Sequence, residues 1–198
     1  MWFHKPTKQA FVLLPKTGST TAQAFLHKLG WKFIGEHHSY PSEMIVKYPN
    51  LAGYSIYGFV RDPLARFESC ILFLKQIPSA ADVLTRYLHD HKINKTREEI
   101  TYDEVVDMFD QLDNYNVIGG IFRPQYLWFD APNVTALDYQ GFEYELRRIT
   151  NNHDEPIQNY NVSTNFGRGV ITQKVKDFVR KQYAADYAFA KNALGKEY

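Results

Sequence analysis

Residues 15–21, Pro-Lys-Thr-Gly-Ser-Thr-Thr, place a lysine, a glycine and four hydroxyl side chains in one short stretch. They follow the apolar run 11–14, which is typical of a strand covered on both faces. The apolar residues that come next have helical spacing: Ala22, Phe25, Leu26 and Leu29. A strand, a glycine-containing turn and a helix N-terminus suit an anion, because the first helical N–H groups lack intrahelical partners and the helix dipole adds positive potential. The stretch is therefore predicted to bind phosphate.

Within this stretch, Lys16 would supply a full positive charge. Neutral N–H and O–H donors would come from Thr17, Gly18, Ser19, Thr20 and Thr21. The order differs from the nucleoside-triphosphate loop G-x-x-x-x-G-K-[ST], in which the lysine follows the second glycine. Here the lysine stands two residues before the stretch's only glycine, so a kinase or GTPase fits the order poorly.

A second candidate stretch, 58–69, begins in a predicted strand and continues into a predicted helix. Strand character is expected over 54–60, and Asp62-Pro63 is typical of a helix start with Asp at the N-cap and Pro at the first helical position. Arg61 would end the strand, and Ser69 would lie two turns into the helix. Both side chains could then point at one anion.

Together the two stretches resemble the sulfotransferase family, which uses 3′-phosphoadenosine 5′-phosphosulfate as sulfuryl donor. Stretch 15–21 resembles the family's 5′-phosphosulfate loop. Stretch 58–69 resembles its 3′-phosphate segment, in which a strand-end arginine and a serine eight residues later, here Arg61 and Ser69, bind that phosphate. Segment 122–129 resembles the Pro-Gln segment of the membrane-type, carbohydrate-acting branch. The resemblance implies adenosine 3′,5′-bisphosphate as product and a hydroxyl acceptor, with a glycan favoured.

Candidates for a general base follow the predicted second strand, 31–34. Ligands of open α/β sheets collect beyond the carboxyl ends of the strands, so this loop should share an edge with the phosphate loop. An imidazole titrates near neutral pH and can accept a proton from a hydroxyl. The resemblance places a catalytic base here, with His37 the first choice, His38 next and Glu36 the third candidate.

Residues 151–169 are rich in Asn, Pro, Gly and Ser and are predicted to form a loop. The resemblance places there a late loop that closes over the adenosine end of the donor, in which Arg168 would contact the 3′-phosphate. Elsewhere, Thr101 and Glu104 have the spacing of a capping box. A long amphipathic helix is expected from about residue 171.

Composition limits the alternatives. The 198 residues suggest one domain, 1–198. The 23 basic and 22 acidic residues nearly cancel, so no strong field favours nucleic acid. A single cysteine, the lack of a signal-peptide-like N-terminus and the lack of an apolar run of about 18 residues predict a cytoplasmic protein with no membrane span. No metal-ligand set is evident in the sequence.

The expected fold is α/β: a three-layer sandwich with a central, mostly parallel sheet and a P-loop NTPase-like phosphate loop. The expected function is sulfuryl transfer to an acceptor hydroxyl by in-line displacement with a histidine base. Two alternatives remain open, namely a nucleotide kinase of related fold and a non-catalytic nucleotide-binding module. The donor motifs would look the same in a non-catalytic module.

Overall fold

A computed structural model describes most of the chain, over residues 1–76, 84–86, 88–109, 120–158 and 169–198. The chain forms two compact units, each assembled from separate segments. The first unit comprises Met1–Arg61, Pro124–Asn161 and Ala188–Tyr198. The second comprises Asp62–Arg123 and Val162–Tyr187.

The described residues contain both helices and strands, which makes the protein mixed α/β. The strands are β1 Trp2–His4, β2 Gln9–Phe11, β3 Lys32–Phe33, β4 Ser55–Val60 and β5 Val134–Asp138. The α-helices with complete bounds are α1 Ser19–Lys28, α2 Pro41–Lys47, α3 Pro63–Gln76, α4 Tyr102–Asp107, α5 Phe142–Thr150, α6 Gln173–Gln182 and α7 Ala184–Leu194. Short 3-10 turns cover Pro49–Gly53, Gln125–Phe129 and Tyr139–Gly141. Residues 84–86 and 88–90 are also helical.

The five strands form one sheet in the order β3-β1-β2-β4-β5. β2, β4 and β5 are parallel neighbours, whereas β1 is antiparallel to both β2 and β3. The sheet is therefore mixed, because the N-terminal residues add an antiparallel strand, β1, that the sequence did not reveal. Since β3 is antiparallel to β1, and β1 to β2, β3 and β2 run in the same direction. The loops that follow β2 and β3 leave the sheet at one edge, as expected.

Helix α1 has the predicted apolar face, because Ala22, Phe25 and Leu26 are buried. It ends before Gly30, whose φ of 78° is the left-handed conformation expected of a residue just past a helix. The side chains of 10–14 alternate between two buried clusters of the first unit. Phe11 and Leu13 pack with α1 and α5 residues, and Val12 and Leu14 pack with Met44 and Trp128.

The second unit is built around α3, α4 and α6, whose apolar faces share one cluster that includes Phe67, Val105 and Val179. The predicted start of α3 is confirmed, since the Asp62 carboxylate accepts N–H bonds from Leu64 (3.2 Å) and Ala65 (3.1 Å). The capping box at the start of α4 is also confirmed.

The long C-terminal helix expected from about residue 171 is two helices, α6 and α7. The break falls at Tyr183, which has φ −112° and ψ 29°. Its buried phenol donates a 2.9 Å hydrogen bond to the carbonyl of Phe122. Within the described residues, helices are too short or too polar to cross a bilayer.

Candidate functional site

The loop between β2 and α1 turns sharply over residues 15–18. The backbone pairing of β2 continues past its end, because the Val12 N–H donates to the Tyr57 carbonyl at 2.9 Å. Lys16 (φ 65°) and Gly18 (φ 78°) both have left-handed backbone, and Gly18 is the N-cap of α1. Lys16 pays a steric cost there that a glycine avoids, and strain of this kind often marks functional loops.

Gly18 is required by its surroundings as well as by its backbone. A Cβ atom at this position would lie 2.7 Å from Phe142 Cε2 and 3.0 Å from Tyr139 Cε2. The loop is therefore packed closely against the aromatic residues that follow β5. This packing fixes the direction in which α1 begins.

Hydroxyl side chains surround the first turn of α1, where the sequence predicted them. Thr17 is 2% exposed, and its hydroxyl donates a 3.0 Å hydrogen bond to the Leu14 carbonyl, which braces the turn. Ser19, Thr20 and Thr21 form the first helical turn, so this turn carries hydroxyls and no carboxylate. The positive end of the helix dipole is therefore not neutralised by an acidic residue of the first turn.

Arg61 joins the second predicted stretch to the first. It follows β4 directly, and its Nη1 donates a 3.1 Å hydrogen bond to the carbonyl oxygen of Lys16. Its guanidinium carbon lies 5.1 Å from the centroid of the Tyr139 ring, in cation–π geometry. The structure thus brings Lys16, Gly18 and Arg61 together in the first unit.

Gln125 is a site residue whose role the sequence did not reveal. It is fully buried, at 0% exposure, and its side-chain amide pairs with the backbone of Arg61. Gln125 Oε1 accepts the Arg61 N–H at 2.9 Å, and Gln125 Nε2 donates to the Arg61 carbonyl at 2.8 Å. In the sequence, the Pro-Gln segment showed only a family resemblance. Nothing there indicated that the Gln125 amide would bond to Arg61.

Of the candidate bases, His38 is bonded to the backbone of the segment between β2 and α1. Its Nδ1 lies 2.6 Å from the Leu13 carbonyl oxygen. A carbonyl only accepts, so Nδ1 carries the hydrogen, and in neutral imidazole the basic lone pair is then on Nε2. The His38 carbonyl in turn accepts a 3.1 Å bond from Trp128 Nε1, and His38 has φ 62°.

His37 and Glu36 lie in the same loop but are exposed. The His37 ring contacts Phe33, with 4.9 Å between ring centroids, and its centroid lies 6.1 Å from that of His38. The structure therefore keeps all three candidates in one loop and anchors the His38 ring to a backbone carbonyl.

Asp138, at the end of β5, adds a fixed negative charge next to Tyr139. Burial by itself raises the pKa of Asp138, but its donors outweigh burial and hold that pKa below its ordinary 3.8. Lys196 Nζ lies 2.8 Å away, and the Gln140 N–H (3.0 Å) and the Tyr198 hydroxyl (3.2 Å) also donate to the carboxylate. The carboxylate is therefore ionised at neutral pH and holds the turn that carries Tyr139.

The contacts described for the first unit do not include the other two predicted donor-binding residues, Ser69 and Arg168. Ser69 is a half-buried residue of α3, in the second unit. Arg168 lies outside the described residues, as do residues 159–167 of the predicted late loop, of which 151–158 are described and lack helix and strand. The roles of Ser69 and Arg168 stay predictions.

Comparison with protein families, with curated proteins and with solved structures finds no match. A function must therefore be inferred from the chain's own residues. Over the part of the chain that the structure describes, His, Cys, Asp and Glu side chains do not come together in threes that could hold a metal ion. The principal chemical groups of the candidate site are the turn before α1, the Lys16 and Arg61 cations and the His38 imidazole.

Proposed function

We propose that the chain is a sulfotransferase that uses 3′-phosphoadenosine 5′-phosphosulfate and transfers its sulfuryl group to a hydroxyl, with a carbohydrate as the favoured acceptor. One observation carries the proposal: the Arg61 guanidinium bonds to the backbone of the loop that holds Lys16. In the family that the sequence resembles, these two motifs bind opposite ends of one donor. The contact is what a site shared by the two motifs requires.

The fold supports the same proposal at a coarser level. Buried side chains from 10–14 enter two clusters, one with α1 and α5 and the other with α2. Such alternation fits a central sheet covered on both faces, as in a three-layer sandwich. A turn with two left-handed residues that leads into α1 suits a P-loop-like anion site.

The candidate site fits a doubly phosphorylated donor because Lys16, Arg61 and the N–H groups at the start of α1 follow the ends of the neighbouring strands β2 and β4. Sulfuryl transfer resembles phosphoryl transfer, in which the protein positions the reactants and stabilises charge on the transferred group. The donor supplies the sulfuryl group: the acceptor oxygen bonds to sulfur as the bond from sulfur to the 5′-phosphate oxygen breaks, and adenosine 3′,5′-bisphosphate leaves. Lys16 and the N–H groups of the α1 start would neutralise the sulfuryl and 5′-phosphate oxygens.

His38 is the base that we favour over His37. The hydrogen bond from Nδ1 to Leu13 fixes the ring and selects the tautomer whose Nε2 can accept the acceptor's hydroxyl proton. His37 has no such anchor among its contacts in the described residues, where its ring packs on Phe33. We therefore assign the proton of the acceptor hydroxyl to His38 Nε2 during transfer.

Arg61 would select the donor through its 3′-phosphate. A guanidinium has five N–H donors in a planar fork that suits phosphate, and the bond to the Lys16 carbonyl uses one of them. Arg61 would thus bind the phosphate and at the same time hold the loop that binds the sulfuryl group.

Thermal shift with nucleotides tests the donor half of the proposal. Adenosine 3′,5′-bisphosphate should raise the melting temperature well above the shift produced by ATP at the same concentration, since only the former has a 3′-phosphate. Equal shifts would favour a nucleotide kinase. The absence of any shift would remove the nucleotide site.

A transfer assay tests the chemical half. Labelled donor should pass sulfate to at least one member of a panel of sugars, phenols and lipids. Tight binding of the bisphosphate without transfer to any of them would favour the non-catalytic nucleotide-binding module.

A further inference from the structure

Two side-chain amides hold the two ends of β4. At its beginning, Asn133 Nδ2 donates to the carbonyls of Leu51 (3.2 Å) and Tyr54 (2.8 Å). At its end, Gln125 makes the two-bond pair with the backbone of Arg61. The chemistry is similar at the two ends, but only the second pair includes a residue of the candidate site.

The Gln125 pair substitutes for a neighbouring strand. Arg61 is the first residue beyond β4, so its N–H and carbonyl extend past the regular ladder. The carboxamide of Gln125 bonds both groups, as an adjacent peptide would, and does so from a position without solvent exposure. The backbone of Arg61 is therefore held at two points in an environment where an unbonded group would be costly.

The side chain of Arg61 is held at two further points. Its Nη1 bonds the Lys16 carbonyl, and its guanidinium lies against the Tyr139 ring. An arginine that is free in solution loses rotamer entropy when it binds an anion, whereas one already ordered loses less. Order at the backbone is the basis for order at the guanidinium, because every side-chain torsion starts from that Cα.

We propose that Gln125 is a positioning residue that preorganises the Arg61 guanidinium for a phosphate group of the ligand. The phosphate ligand rests on the proposed function, whereas the ordering of Arg61 does not. Removing either half of the amide pair should leave the site present but less ordered. The affinity for a 3′-phosphorylated nucleotide should then fall although no residue of direct contact has changed.

Gln125→Glu tests this inference through pH. An ionised carboxylate accepts the Arg61 N–H but repels the Arg61 carbonyl, whereas a protonated carboxyl donates to that carbonyl and restores the pair. Burial favours the protonated form. The quantity to compare is the variant's dissociation constant for adenosine 3′,5′-bisphosphate divided by that of the unchanged protein at the same pH. This ratio should be about ten at pH 8 and should approach one near pH 5.5.

Asn133→Asp is the matched control, because it makes the same chemical change at the other end of β4. It should lower the melting temperature yet leave the ratio of dissociation constants close to one at both pH values. Gln125→Met, which removes both hydrogen bonds without adding a charge, should weaken binding at both pH values. It also serves as the second variant if the carboxylate prevents folding.

A ligand-free measurement separates this inference from the proposed function. NMR can follow hydrogen exchange of the Arg61 backbone amide and Nε–H. At pH 8 both should exchange faster in Gln125→Glu than in the unchanged protein at the same pH. Near pH 5.5 the two proteins should exchange alike. Faster exchange in a protein that never binds the bisphosphate would keep the positioning role and reject the donor. Unchanged exchange together with unchanged affinity in both Gln125 variants would overturn the positioning role, as would an affinity loss of the same size in Asn133→Asp.

Discussion

Arg61 Nη1 donates a 3.1 Å hydrogen bond to the carbonyl oxygen of Lys16, a residue 45 positions earlier in the chain. Lys16 follows β2 and Arg61 follows β4, and these two strands are parallel neighbours. The contact therefore joins two strand ends at the edge where α/β proteins bind ligands. The contact places the Arg61 cation beside the loop at 15–18. The shape of this loop therefore depends on Arg61.

Arg61→Lys should reduce discrimination between adenosine 3′,5′-bisphosphate and AMP. A lysine keeps the charge but cannot use a planar fork for the phosphate and the Lys16 carbonyl together. We expect affinity for the bisphosphate to fall about tenfold or more, and affinity for AMP to fall less, as measured by calorimetry. Arg148→Lys, at an exposed arginine of α5, should change neither affinity. Equal losses for both nucleotides would argue against a 3′-phosphate contact.

Lys16→Ala should abolish sulfuryl transfer while the fold is kept. Alanine has a similar steric penalty in the left-handed backbone, so the melting temperature should change little, but the charge that neutralises the transferred group is gone. Transfer in the labelled-donor assay is expected to fall by at least about a hundredfold, to the background of the assay. Lys8→Ala is the control, since Lys8 is also a lysine with positive φ (51°) but lies in the turn before β2. Full turnover in the Lys16 variant would remove Lys16 from the mechanism.

His38→Ala and His37→Ala form a matched pair. The His38 change should lower turnover about a hundredfold or more while affinity for adenosine 3′,5′-bisphosphate is kept, because the base contacts the acceptor and not the donor. The His37 change should leave turnover within a few-fold of the unchanged protein. The reverse result would assign the base to His37, and two active variants would direct attention to Glu36.

Lys75 should make stability depend on pH in the second unit. Burial lowers the pKa of Lys75 from its ordinary 10.5, against the opposing effect of Glu98 and Glu104. As pH rises toward 10.5, the unfolded chain holds this proton longer than the folded chain, so the free energy of unfolding should increase. Urea unfolding from pH 7.5 to 10.5 should show that increase, and Lys75→Met should lose it. Parallel curves for the two proteins would show that burial does not perturb Lys75.

Local signals predicted much of the fold. Asp62-Pro63 marked the start of α3, Thr101 and Glu104 marked the start of α4, and Gly30 marked the end of α1, because each feature acts within a few residues. β1 escaped prediction because its three residues are too few to show a period. It pairs with β2, which follows after a short turn, and with the more distant β3.

The candidate site divides in the same way. The loop at 15–18 and the arginine at 61 were predicted from local order in the sequence. The partner of Gln125 lies 64 residues away, so no spacing rule could assign its amide to Arg61. The anchor of His38 lies 25 residues away, and the choice between adjacent histidines depends on that carbonyl. Long-range hydrogen bonds of this kind are specified by the fold as a whole.

Gly18→Ala should be much more damaging than Gly30→Ala, although both glycines have φ 78°. A Cβ at Gly30 meets nothing within 4 Å, so that change should cost only the left-handed backbone penalty, about 1 kcal/mol in the free energy of unfolding. At Gly18 the Cβ would also overlap Phe142 at 2.7 Å, and the total should reach about 2–4 kcal/mol. Urea unfolding of the two variants measures the difference in the free energy of unfolding. This difference isolates the aromatic contact, because both glycines have the same φ and the backbone penalty cancels. The Gly18 variant should also lose affinity for adenosine 3′,5′-bisphosphate, because moving the Tyr139 ring would displace the Arg61 guanidinium that lies against it. Equal stability and equal affinity in the two variants would show that the loop does not depend on this packing.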